Sequence, residues 1–184
     1  MLEGRTLNLR ILEREDVDYL AECVNDIDFM GEYAWGEQVT KSQLLRYFDN
    51  PSNMVILNEA KQFVVEKKDG TKIGLMHHRL ELPSRVVMEL GFLALAPSER
   101  GKGYGTEATQ LMVDYLFLSK ELTRIQTAAD VGNKASQRVL EKVGFQREGT
   151  MRKCLFHNGE WRDFNLYSIL REEWKEPKIL TRKS

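Results

Sequence analysis

The residues best suited to chemistry lie between Leu90 and Ala108, in the run Leu90-Gly-Phe-Leu-Ala-Leu-Ala-Pro-Ser-Glu-Arg-Gly-Lys-Gly-Tyr-Gly-Thr-Glu-Ala108. An apolar strand enters a glycine-rich turn and leaves it as a helix. Gly101, Gly103 and Gly105 let the backbone turn tightly and aim successive N–H groups inward. The helix that follows adds unpaired N–H groups and the positive end of its dipole. A loop of this kind binds anions, phosphate among them. Three alternate glycines are equally compatible with a loop that only turns the chain. Two nucleotide readings weaken on spacing. A Walker loop needs its lysine after the second glycine, whereas Lys102 stands before it. A dinucleotide fingerprint needs a glycine where Thr106 stands, in a parallel βαβ setting.

Several elements must hold this loop. Thr6 to Leu12 alternates as a strand, and Glu15 to Val24 carries Val17, Leu20, Ala21 and Val24 at helical spacing. Asp26 to Gly36 breaks the pattern, and Thr40 with Gln43 then forms a capping box for a helix to about Phe48. Gln62–Lys67, Lys72–Leu80 and Val86–Leu95 read as an antiparallel meander, with turns at Lys68-Asp69-Gly70 and near Pro83-Ser84. After the loop come a helix from about Thr106 to Lys120, a strand Arg124–Ala129 and a helix Lys134–Val143. Ala108, Leu111, Met112, Tyr115 and Leu116 form the stripe that presses the first of these helices on the sheet. The expectation is a mixed α/β fold, about seven strands, in one domain spanning 1–184. The Lys/Arg/Glu-rich end from Arg171 reads as solvated, with 175–184 a tail.

Composition narrows the function classes. The 27 basic and 28 acidic residues leave a formal charge of -1 with no basic stripe, against nucleic-acid binding. Met1 to Arg10 lack an apolar leader core, and no stretch approaches the roughly 18 apolar residues of a membrane span. A cytoplasmic protein is expected. Cys23 and Cys154 fit reduced thiols. His77 and His78 point to opposite faces of the third strand, so at most one faces an acceptor groove; no third ligand stands at a spacing useful to a metal. Trp35, Trp161 and Trp174 are too scattered for a base-stacking platform.

Arg100-x-x-Gly103-x-Gly105 resembles the Arg/Gln-x-x-Gly-x-Gly/Ala signature of the GNAT superfamily of N-acetyltransferases, whose loop binds the coenzyme A pyrophosphate. Asn133-Lys-Ala-Ser136-Gln-Arg-Val-Leu-Glu-Lys-Val-Gly-Phe145-Gln-Arg-Glu-Gly149 looks like the next signature block, in order and at the expected separation. With the first strand, the run Gly159–Trp174 resembles the ribosomal-protein-alanine N-acetyltransferase branch, so the likeness covers nearly the whole chain.

The resemblance implies a strongly twisted sheet splayed into a V between its fourth and fifth strands, with about four helices and acetyl-coenzyme A in the V. It assigns cofactor contacts to Phe92, Leu93, Ala94 and Leu95 on the bulged fourth strand, to Arg100, Gly101, Lys102, Gly103, Tyr104, Gly105 and Thr106 in the loop, and to Asn133 and Ser136. Acetyl transfer by direct attack needs a neutral amine, a stabilised oxyanion and a proton for the thiolate. Glu89 is the candidate base; its interval to Arg100 is one residue longer than is common in the branch, so a bulge has to absorb the extra residue. Ser136 is the candidate acid, in a helix turn that Asn133 should cap. In the family the segment Asp26–Gln38 covers the open side of the V. Its carboxylates and aromatics, with the strand around His77 to Glu81, make Glu32, Tyr33, Trp35 and His77 the candidate acceptor contacts for a cationic amine. An amphipathic helix pair with inward aromatics and solvated carboxylates fits the segment equally. That amine is a protein N-terminus or a small molecule. The alternatives are a non-catalytic coenzyme A sensor and a structural adaptor. A homodimer is common in the family, but no exposed apolar run defines an interface.

Overall fold

The computed structural model describes residues 1–33, 38–49, 61–81 and 84–180. Among them, eight strands form one sheet: β1 (Leu2–Glu3), β2 (Leu7–Ile11), β3 (Lys61–Lys67), β4 (Lys72–Leu80), β5 (Val87–Leu95), β6 (Arg124–Asp130), β7 (Gln146–His157) and β8 (Glu160–Leu170), in the order β1-β2-β3-β4-β5-β6-β8-β7. The α-helices are α1 (Val17–Asn25), α2 (Ile27–Met30), α3 (Lys41–Asp49), α4 (Tyr104–Ser119) and α5 (Lys134–Val143). The mixed α/β fold is as expected, with eight strands in place of about seven and five described α-helices in place of about four. The additions are short. β1 has two residues, too few to show alternation, and α2 is one turn started by Asp26, whose carboxylate accepts from the N–H groups of Asp28 and Phe29. The capping box of α3 forms: Gln43 Oε1 accepts from Thr40 N at 2.7 Å, and Thr40 Oγ1 accepts from Gln43 N at 3.2 Å.

β1 to β5 are a fully antiparallel run, and β5 pairs in parallel with β6 through the crossover helix α4. That parallel pairing is brief. It joins Val87, Met88 and Glu89 to Arg124, Ile125 and Gln126, after which β5 continues to Leu95 against β4 alone and β6 to Asp130 against β8 alone. The two strands part beyond Glu89. β5 is the strand that the family resemblance counts as fourth, so this is the expected V.

Two apolar clusters grip the sheet. On one side Leu7, Leu9, Phe63, Met76, Met88 and Leu90 pack with Ala108, Leu111, Met112 and Leu116 of α4. On the other, Val64, Leu75 and Ala94 pack with Leu20 and Cys23 of α1 and Phe29 of α2. The α4 stripe is wider than its sequence pattern, because Gln110, Val113, Asp114 and Phe117 are buried as well.

The carboxy-terminal segment covers α4 at Asp114 and Phe117. Within the expected tail Lys175, Glu176 and Lys178 are exposed, while the backbone of 178–180 is held; 181–184 lie outside the described residues. Asp114, fully buried, accepts from Gln110 Nε2 and Trp174 Nε1 on one oxygen, both at 2.9 Å. Its other oxygen accepts the backbone N–H groups of Lys178, Ile179 and Leu180 at 2.9, 2.8 and 3.3 Å. Trp174, Ile179 and Leu180 then pack on the core. A single buried carboxylate, legible only through its partners, fastens the chain end. Asp114→Asn keeps the volume but turns one acceptor oxygen into a donor amide that must face an N–H. The expected cost is about 2 kcal/mol, which thermal unfolding should register as a fall in Tm of roughly 4–8 °C for a chain of this size.

Candidate active site

The glycine loop has the backbone its sequence requires. Gly101 and Gly103 have φ of 75° and 91°, in the left-handed region that a side chain disfavours. A Cβ built on either would meet no heavy atom within 4 Å, so the loop borders open space. Gly103 is the N-cap of α4, and the first helical bond runs from Glu107 N to Gly103 O at 3.1 Å. The N–H groups of Tyr104, Gly105 and Thr106 precede that bond and are the donors a helix start leaves for an anion. Glu99 braces the loop from outside, pairing with Lys67 at 2.7 Å and with Lys102 at 3.1 Å.

Arg100 uses its side chain differently from a phosphate ligand. Its Nε donates to Leu95 O at 3.0 Å, and its Nη2 donates to Asp28 O and Phe29 O at 2.8 and 2.6 Å. The guanidinium thus ties the end of β5 to the end of α2. A Cβ on Gly31 would sit 3.5 Å from it.

β5 carries a bulge beyond Glu89. His78 pairs with Leu90 and Met76 with Leu93, so His77 faces two residues, Gly91 and Phe92. Only the backbone of Phe92 is described. The two histidines separate as expected. His78 is buried with Phe63 and Tyr115 at centroid distances of 5.8 and 6.5 Å. His77 lies on the opposite face, its ring directly over Gly91, where a Cβ would fall 1.7 Å from Nε2. Glu89 is half-buried, and its Oε2 accepts from Arg79 Nη2 and Nε at 2.8 and 3.2 Å. Glu81 hydrogen-bonds Glu89, which raises the Glu81 carboxyl above the usual range, with burial adding to the effect.

The other arm of the V carries Asn133 and Ser136. Asn133 caps α5, its Oδ1 accepting from Ser136 N at 3.0 Å. One turn on, Val139 Cγ2 lies 3.7 Å from where a Gly105 Cβ would be, with Leu93 and Leu95 of β5 at 3.8 Å. α5, the loop and β5 therefore converge. Tyr33 reaches the same corner: a Cβ on Gly132 would lie 3.1 and 3.2 Å from its ring and hydroxyl. The Arg162 guanidinium sits 5.7 Å over the Tyr33 ring and is held by Asp130 at 2.8 Å. Glu32 is exposed, and its carbonyl meets His157 Nε2 at 3.2 Å. Residues 31–33 so link the two arms, with Arg100 holding one end and His157 and Arg162 the other. Trp35 lies outside the described residues.

Residues 6–146 match the Acetyltransferase (GNAT) domain family. The chain belongs to the GNAT acetyltransferases. Its relatives include the probable N-acetyltransferase YjcK of Bacillus subtilis, 43% identical over 177 residues that cover 92% of this chain and 97% of that protein. The putative ribosomal N-acetyltransferase YdaF of the same organism is 29% identical over 188 residues, 94% of this chain and 95% of the relative. Spermidine N-acetyltransferase from Vibrio cholerae, solved in complex with CoA and spermine, superposes with a TM-score of 0.81 at 26% identity, covering 92% of this chain and 98% of the other.

In this GNAT enzyme the fold brings the loop at Gly105 beside Leu93 and Leu95 of β5 and Val139 of α5, sets Tyr33 beside Gly132, and lays His77 over Gly91. It gives the guanidinium of Arg100 and the carboxylate of Glu89 to protein partners. Reading by residue type passed over Gly91 and Gly132, and it included Arg79 and Glu81 only within the stretch from His77 to Glu81. Gly91 carried a signal, since an isolated glycine inside a strand marks a bulge or a close approach; the role of Gly132 becomes visible only through its neighbours. Neither cysteine offers a nucleophile from a family motif. Burial pushes the Cys23 thiol up to about 11, and Cys154 is exposed on β7. Among the described residues no cluster of three or more potential metal ligands occurs, and no helix is long and apolar enough to cross a membrane.

Proposed function

We propose that this acetyltransferase moves an acetyl group from acetyl-CoA to a primary amine, by direct attack while both substrates are bound, and that the acceptor is a small cationic amine. One observation carries the reading: β5 loses its β6 neighbour beyond Glu89 and runs into a glycine loop bordered by open space. A strand edge left without a strand partner offers N–H and C=O groups to an extended, amide-containing ligand. The loop at its end offers N–H groups to a pyrophosphate.

In this scheme the loop N–H groups of residues 101–106 hold the pyrophosphate, and the β5 backbone from Phe92 to Leu95 pairs with the pantetheine amides. A backbone N–H at Phe92 or Leu93 stabilises the tetrahedral oxyanion. Ser136 protonates the departing thiolate. Arg100 acts as a positioning residue, through Leu95 and α2. Glu89 and Glu81 lie on the face toward α1 and α2, where Arg79 pairs with Glu89 and leaves Glu81 as the further carboxyl group of the acceptor side. The spermine complex of the Vibrio cholerae enzyme supports a small polyamine-like acceptor, and Tyr33 with Glu32, on the segment tied to Arg162 and His157, is the contact proposed for it.

The test is transfer of labelled acetyl from acetyl-CoA across linear polyamines, aminoglycosides, amino acids and N-terminal peptides. The expected result is turnover of polyamines well above that of peptides. Preference for N-terminal peptides would reassign the acceptor. Tight CoA binding with transfer to none of these would make the protein a sensor.

A further inference from the structure

On β4, Leu75 and His77 share the face packed by α1 and α2, and the same alternation brings Arg79 to that face. Gln62 stands opposite His77 on β3, and Gly91 with Phe92 stands opposite on β5. Only a glycine lets the ring settle there, because any Cβ at position 91 would overlap it. The imidazole Nε2 therefore lies on β5 where that strand has just left β6, two residues past Glu89. Glu89 itself is engaged by Arg79 and Glu81.

Resting on the acetyl-transfer reading above, we propose that His77, rather than Glu89, is the group that takes the proton from the acceptor ammonium, with Gly91 reserved to admit its ring to the reacting edge of β5. The balance is simple. The ammonium gives one proton to Nε2 of the neutral imidazole, and the freed amine lone pair forms the new C–N bond at the thioester carbonyl. The C–S bond breaks, Ser136 gives its proton to the sulfur, and the hydroxyl regains one from the acetylated nitrogen. The imidazolium then releases its proton to solvent.

The surroundings favour a neutral ring before the amine arrives. Burial lowers the His77 pKa from its ordinary value, and the Arg79 guanidinium lowers it further against the opposing pull of the Glu89 carboxylate. Gln62 across on β3 is uncharged, Glu81 lies beside Glu89, and α1 and α2 bring Leu20, Phe29 and the un-ionised Tyr19 and Cys23 to this face. An imidazole of this kind is a better match to a proton transfer near pH 7 than a carboxylate already paired with a guanidinium.

The experiment compares wild type, His77→Gln and Glu89→Gln with acetyl-CoA and spermine across pH, with calorimetry of acetyl-CoA binding. His77→Gln is expected to lower kcat by roughly 100- to 1000-fold at pH 7, leave acetyl-CoA affinity unchanged and move the acidic limb of the kcat profile up toward the range of the free amine. Its deficit should shrink as pH approaches about 10.4, where an alkyl amine deprotonates unaided. A merely structural histidine would produce a deficit that persists at every pH. Wild-type kcat with its acidic limb intact in His77→Gln, or loss of that limb in Glu89→Gln alone, overturns the proposal. Should wild type not acetylate spermine, NMR titration of His77 decides: a depressed imidazole pKa supports the role, and an ordinary or raised one overturns it. Wild type inactive toward every amine in the screen would instead overturn the parent reading, and this one with it.

Discussion

Gly103→Val is expected to abolish acetyl-CoA binding while the protein still folds. The two halves of that result have separate causes. Gly103 sits at φ 91°, and a Cβ there would touch no protein atom within 4 Å, so the variant meets backbone strain but no internal clash. The strain is of order 1–2 kcal/mol, against about 5–15 kcal/mol of total stability in a typical domain. Binding suffers more. The same open space is where the phosphates would lie, and a β-branched side chain fills it while tilting the N–H groups at the start of α4. Losing two charge-assisted hydrogen bonds, each about 1.5–3 kcal/mol, corresponds to a 100-fold or greater rise in Kd. Calorimetry with acetyl-CoA, alongside a thermal melt, checks both parts. Gly103→Ala should fall between, with similar strain and less intrusion. Unchanged affinity in the folded valine variant would move the phosphates away from this loop.

This loop was legible because everything that defines it is local. Glycines two residues apart, the apolar strand before them and the helical stripe after them lie within one stretch, and their conformations follow from residue type. α5 was equally plain, since Asn133 caps it and Gly144 ends it in the left-handed region. The acceptor side was not. Glu89 was placed on the correct strand, but its engagement by Arg79 depends on the β4–β5 register, a pairing between segments ten residues apart. The bulge opposite His77 is likewise a property of two strands together.

In two places charge alone did not show the partners. Arg100 belongs to the signature motif, yet its guanidinium meets carbonyls of Leu95, Asp28 and Phe29 from distant parts of the chain. The end of the chain is rich in Lys, Arg and Glu, which is the composition of a solvated tail, but its backbone N–H groups find the carboxylate of Asp114. Composition describes what side chains prefer in isolation. It cannot tell which buried acceptor on another element will claim a backbone or guanidinium donor.

Ser136→Ala isolates the leaving-group step. The Asn133 cap bonds the backbone N–H of Ser136, not its hydroxyl, so alanine keeps that bond. Alanine is also the better helix former, which leaves α5 at least as stable. The substitution therefore removes the hydroxyl and little else. If that hydroxyl gives its proton to the thiolate, kcat should fall roughly ten- to a thousandfold while the Kd for acetyl-CoA stays within a few-fold, because the interaction strengthens only as the C–S bond breaks. The deficit should be smaller with an acetyl thioester of a more acidic thiol, whose sulfur needs less help. A deficit equal for both donors would mean that the hydroxyl orients the cofactor without protonating it. Asn133→Ala is the contrast, since it loses the cap, about 1 kcal/mol, and shifts the whole first turn. Its thermal stability should fall along with its activity, whereas Ser136→Ala should lose activity alone.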